Sequence, residues 1–225
     1  MTLNLPVIKL LVAKDWQLFQ KQLAVCVLAG IVSLCFLGLA KPWAFYVGSL
    51  MLIIVMVSVA CFSISTSLMV ERKEKTLAFV MSLPVSPLDF TVAKMAGNVL
   101  TFAVPFAIIA GGTLAVVLFT PLPDGLFVYS LLIYAYILFA FSVSLAVAMS
   151  VESEGWSTFA MIGSMVLINP YMMALAQVPD IQQRVSADAI VWTTPAVLIL
   201  SVLVTLSVAL IGAIAWHHAR TPAVS

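Results

Sequence analysis

The chain has 225 residues, of which 64% are hydrophobic and only 8% charged, and its net charge is +1. A soluble domain carries about 25% charged residues, and a soluble fold of this size leaves more surface in water than so few charges can cover. Lipid is the solvent that fits, so the expectation is an all-α polytopic membrane protein with no nucleic-acid partner. Cys26, Cys35 and Cys61 all fall inside apolar runs, in odd number and without metal-ligand spacing. They read as small hydrophobes and not as a redox or metal site.

Residues 1–22 come first. Ile8, Leu11, Val12, Trp16 and Phe19 recur at helical spacing, with Lys14, Gln17 and Lys21 on another face. That pattern predicts an amphipathic helix lying in the membrane interface, with Pro6 in its first turn. No small-residue cleavage site follows a short apolar region, so the first span is expected to remain as an uncleaved anchor. A spanning helix needs about 20 apolar residues, and six segments satisfy this: 23–40, 44–70, 95–119, 126–150, 156–176 and 195–216. The second would be roughly 40 Å long, which exceeds the hydrocarbon core and requires tilt or projection into water. The third carries Pro105 and Gly111-Gly112, and the fifth carries Asn169-Pro170. Such residues loosen a helix and need neighbours to satisfy the freed backbone groups.

Six spans put both termini on one side. Lys9, Lys14, Lys21, Arg72, Lys73, Lys75, Lys94 and Arg220 fall on that side, against Lys41 and Arg184 on the other. The Lys/Arg bias therefore predicts cytoplasmic termini. Residues 1–225 are read as a single transmembrane domain, with 71–90 as its main cytoplasmic loop.

That loop is the densest charge in the chain: Glu71, Arg72, Lys73, Glu74 and Lys75 are consecutive. A solvated topology signal would explain the cations. It does not require Glu71 or Glu74, and Glu71 and Lys75 form an i,i+4 pair in the favourable order. Leu77, Val80 and Met81 could share one side of a short surface helix, which Leu83-Pro84-Val85-Ser86-Pro87 would stop. On these boundaries no span interior contains an ionisable residue, and Lys94 sits at a cytoplasmic edge. Asn98, Thr101, Thr113, Ser142, Ser144, Ser164 and Asn169 lie at depth, where hydrogen bonds between helices account for most of them. Phe102, Phe106, Phe139, Phe141, Tyr134, Tyr136, Met161, Met165, Met172 and Met173 read as packing or lipid-facing surface. A phosphate-binding loop requires GxxxxGK[ST], and none of the ten glycines is followed by lysine. The chain is therefore expected to hold no cofactor and not to be an enzyme.

The run Glu71-Arg72-Lys73-Glu74-Lys75-Thr76-Leu77, then Ser82-Leu83-Pro84-Val85-Ser86 and Lys94, resembles the signature loop of ABC transporter permeases of the type-2 exporter family. Lys9-Leu10-Leu11 and Lys14-Asp15 resemble the start of its small members. The resemblance implies six spans, an N-terminal interfacial helix and a cytoplasmic coupling helix between spans 2 and 3. In it Glu71, Arg72, Lys73, Glu74, Lys75, Thr76 and Leu77 would engage an ATPase subunit, and Leu83 and Pro84 would end the helix. Glu152 and Glu154 sit where the family has a second cytoplasmic contact. It further implies a second permease, as homo- or heterodimer, and separate ABC ATPase subunits that bind ATP and magnesium, all in the bacterial inner membrane. Haem-exporter permeases have a similar Leu-Pro turn, and a non-transporting scaffold or sensor linked to an ATPase would share the loop.

Overall fold

The structure, a computed structural model, describes residues 4–39, 41–66, 87–151 and 153–220. Among the described residues all regular structure is helical. The helices are α1 (Leu5–Gly38), α2 (Pro42–Ile64), α3 (Pro87–Phe119), α4 (Gly125–Ser150), α5 (Glu154–Val166), α6 (Ile168–Gln177), α7 (Pro179–Gln182) and α8 (Thr194–Arg220). Among the described residues, six stretches are long and apolar enough to cross a membrane, with α5 and α6 together making the fifth. The chain is a multi-pass membrane protein.

The amphipathic segment is not a separate element. Residues 5–38 form one helix of 34 residues, about 51 Å long at 1.5 Å per residue. Between Pro6 and Gly30 the sequence offers neither proline nor glycine, so nothing interrupts the hydrogen-bond ladder at 22–23. The expected faces do appear. Ile8 is buried, Leu11, Val12, Trp16 and Phe19 are half-buried, and Lys14, Gln17 and Lys21 are exposed. The Phe19 ring meets Phe62 of α2 edge-on at 5.8 Å.

The third membrane helix begins at Pro87, eight residues before the expected boundary, so the last residues assigned to the loop belong to α3. Proline suits a first helical turn, and Asp89 in that turn favours the positive end of the helix dipole. Pro105 lies inside α3 without ending it. The fifth span does break. Val166 ends α5 and Ile168 starts α6, because Pro170 can neither donate to Val166 nor fit against its carbonyl.

The bundle is built around α4. Leu132, Ile137, Phe141 and Leu145 on it are almost fully buried. Phe141 stacks on Phe102 of α3 at 3.9 Å between centroids, and Tyr136 stacks on Tyr171 of α6 at 4.5 Å. On one side, α1 runs parallel to α3 and packs against α2. On the other, α5, α6 and α8 lean on α4. Gly48 lets α2 meet α1 backbone to backbone, since a Cβ there would lie 2.8 Å from the Leu37 nitrogen and 3.0 Å from the Ser33 oxygen. Of the α8 side chains described, Ala196, Ser207 and Ile214 form a narrow buried stripe, while Val197, Leu198, Val202 and Val208 are exposed. A helix apolar all round is what lipid permits and water does not.

Polar residues at depth are held mostly within their own helices. Ser142 donates to the Leu138 oxygen at 2.8 Å, and Thr101 to the Asn98 oxygen at 3.0 Å. Bonds between helices include Ser144 with Ser164 at 2.8 Å, Tyr136 to the Ser164 oxygen at 2.7 Å, Tyr171 to the Leu132 oxygen at 3.1 Å, and Thr113 with Tyr134. A hydroxyl that bonds the carbonyl four residues back leaves its helix satisfied without a partner. Asn169 is exposed.

Candidate functional site

Glu71, Arg72, Lys73, Glu74, Lys75, Thr76, Leu77, Leu83, Pro84 and Glu152 lie outside the described residues, as does the expected surface helix. Glu154 opens α5, one residue after its N-cap Ser153. The two helices that flank the charged loop are described, and a buried ion pair stands beside its exit.

Lys94 lies about two turns into α3, and its Nζ is 2.9 Å from the Asp15 carboxylate of α1, with both side chains 4% exposed. The pair is bonded directly. Lys14 approaches the other carboxylate oxygen at 3.8 Å from a half-exposed position. The Phe90 ring lies 5.8 Å from the Lys94 ammonium. Gly97, one turn further along α3, leaves room for the Asp15 side chain: a Cβ there would come within 3.4 Å of its carboxylate. Nearer the start of α3, Asp89 accepts the backbone N–H of Asn4 at 3.0 Å. The segment that leaves the charged loop is therefore fastened to the first helix at two points.

The structure adds what the sequence reading did not include: Asp15, ahead of the first expected span, and Lys94, at the edge of the third, are buried against each other between α1 and α3. The signal was available. Ile8, Val12, Asp15 and Phe19 fall at steps of four, three and four, so Asp15 occupies the apolar stripe of its helix. A carboxylate at such a position needs a cation, since a buried charge is costly unless paired.

At the other end of the bundle lies a cavity of about 520 Å³. Its walls come from α2 (Tyr46, Ile53, Met56), α4 (Ser130, Ile133, Ile137), the ends of α1 and α3, α6 (Met172, Ala176), and the end of α7 with the segment after it (Gln182, Val185, Ser186). That segment folds onto the start of α4, where the Gly125 N–H donates to the Ala187 oxygen at 2.9 Å. Gly125 is required there, because a Cβ would collide with the Arg184 carbonyl oxygen. Among the described residues, no charged side chain lines the cavity. Asp180 and Arg184 line a separate small void beside Gly125. Of the Met and aromatic residues noted in the sequence, Phe102 and Phe141 are core, and Met172 and Tyr134 face this cavity.

The sequence signal for the cavity was weak. Its walls come from six separate segments, and no motif marks them. Comparison with known proteins gave no match: none of the family models, the curated proteins or the solved structures is similar to the chain.

Proposed function

We propose that the chain is the membrane-spanning permease subunit of an ATP-driven exporter of the bacterial plasma membrane. It pairs with a second permease and is driven by separate ATPase chains that bind ATP and magnesium. The observation that carries this reading is the mixed-charge segment from Glu71 to Pro84, which joins two membrane-length helices in a chain without a phosphate-binding sequence. Its resemblance to the coupling loop of type-2 exporter permeases supplies the direction of transport, and the Lys/Arg bias supplies its cytoplasmic placement.

The ion pair supports a route for force. A load applied at the loop enters α3 at Pro87. It reaches α1 through the Asp89 contact with Asn4 and then through Lys94 and Asp15. α1 and α3 would then move as one body, while α5 and α6 can bend at Leu167 relative to α4. ATP-driven closure of the partner ATPases would shift the first unit against the second and change access to a path at the permease pair.

The test is co-purification with any ABC ATPase encoded next to this chain. The wild type should bring it down. Serine at all five positions from Glu71 to Lys75 should abolish recovery while the membrane chain still folds. An undiminished complex, or none with the wild type, rejects the proposal.

A further inference from the structure

We propose that the cavity between α2, α4 and α6 binds one long-chain amphiphile with an uncharged, hydroxyl-bearing head, its apolar chain pointing into the bundle. Three observations carry this.

The first is shape. The wall on α2 runs from Phe45 to Met56 and that on α4 from Leu126 to Ile137, a depth of roughly 17 Å at 1.5 Å per residue. That is about half of the ~30 Å hydrocarbon thickness, or one leaflet. The volume, about 520 Å³, falls within the roughly 300–1,000 Å³ range of small-molecule sites.

The second is the gradient of polarity. Met56 and Ile137 at the deep end are fully buried. The polar groups deep in the wall are already used: Thr113 donates to the Ile109 oxygen and bonds Tyr134. Gln182 and Ser186 stand at the outer rim, both exposed. Ser49, Tyr129 and Ser130 add hydroxyls in the outer half of the wall, so a ligand gains hydrogen bonds toward the rim and apolar burial at the Met56–Ile137 end. Tyr46 and Ala176 are exposed on the lip between α2 and α6, so a chain from the surrounding leaflet can enter sideways.

The third is charge. Among the described residues, no ionisable acid or base other than tyrosine lines the cavity. An anionic or cationic head drawn into it would lose its hydration with no counter-ion in the wall.

Binding stands on these observations alone. That the occupant is cargo rests on the exporter reading.

The experiment uses the full chain in phosphatidylcholine vesicles containing a trace of a diazirine-tailed monoacylglycerol or, in parallel, the matching fatty acid. After illumination, labelled peptides are mapped by mass spectrometry. The monoacylglycerol should label the peptides holding Met56 and Ile137. Ile133→Trp, which fills the cavity, should reduce that labelling about tenfold. Ile54→Trp, on the lipid-facing side of α2, should leave it unchanged. If Ile133→Trp fails to fold, Ser130→Leu fills the same wall with less bulk. Labelling confined to exposed α8, labelling that survives both fillings, or equal labelling by the fatty acid overturns the proposal. Specific labelling in a protein that shows no ATP-driven export would remove the exporter reading and leave the site. Export that survives the filled cavity would remove the site as a transport path.

Discussion

Asp15 and Lys94 take opposite charges out of water, and the penalty for each is offset in large part by the other. Removing one partner leaves the other charge buried without its nearest counter-ion, so Lys94→Met or Asp15→Leu alone should cost about 3–5 kcal/mol. The double variant should recover most of that, because an apolar pair of similar volume is often neutral or better. Chemical unfolding in detergent, read by tryptophan fluorescence, checks both. Additive losses in the double variant would show that the two side chains act separately. Gly125 makes a second prediction. Gly125→Ala forces its methyl into the Arg184 carbonyl and should cost about 1–3 kcal/mol, as overpacking does. It should also raise hydrogen exchange at position 125 and across 183–187, where the docking bond to Ala187 is lost. Neither effect was legible in the sequence as energy. Asp15 could be placed on a stripe, but nothing local said that its partner lay 79 residues away.

The elements themselves were largely legible, since uninterrupted apolar runs of spanning length have few alternatives. Their boundaries were less so. Residues 5–22 read as interfacial because they carry Lys9, Lys14 and Lys21. Cations along one face do not break a helix, however, and α1 continues through them. The start of α3 was missed because Pro87 was counted only as a stop, although proline equally opens a helix. Pro170 was read correctly as a weak point, and the interruption falls at Leu167. Pro170→Ala should restore the missing donor and close the gap. The backbone amide gained at position 170 should be protected from hydrogen exchange, and spin labels on α5 and α6 should report a straighter fifth span. An unchanged bend would assign it to packing against α4 through Tyr171.

For the whole molecule, the paired units suggest how a load could travel. α1 and α3 are tied by charge and backbone contacts near the loop, while α4 holds the cavity and the bent fifth span. A cavity among six segments depends on tertiary packing, which is why no sequence pattern announced it. The fastening at Asp15 and Lys94 and the charged run at Glu71 to Lys75 belong to one proposed train, so weakening either should uncouple ATP hydrolysis from movement. The most direct test of the proposed exporter reading reconstitutes the chain with a candidate ABC ATPase in proteoliposomes and measures ATPase stimulation and outward movement of substrate together. The account predicts that serine at Glu71, Arg72, Lys73, Glu74 and Lys75 removes both activities while the membrane domain unfolds at the wild-type temperature. Full ATP-driven transport by that variant, or transport that continues without ATP on a proton gradient, would contradict it.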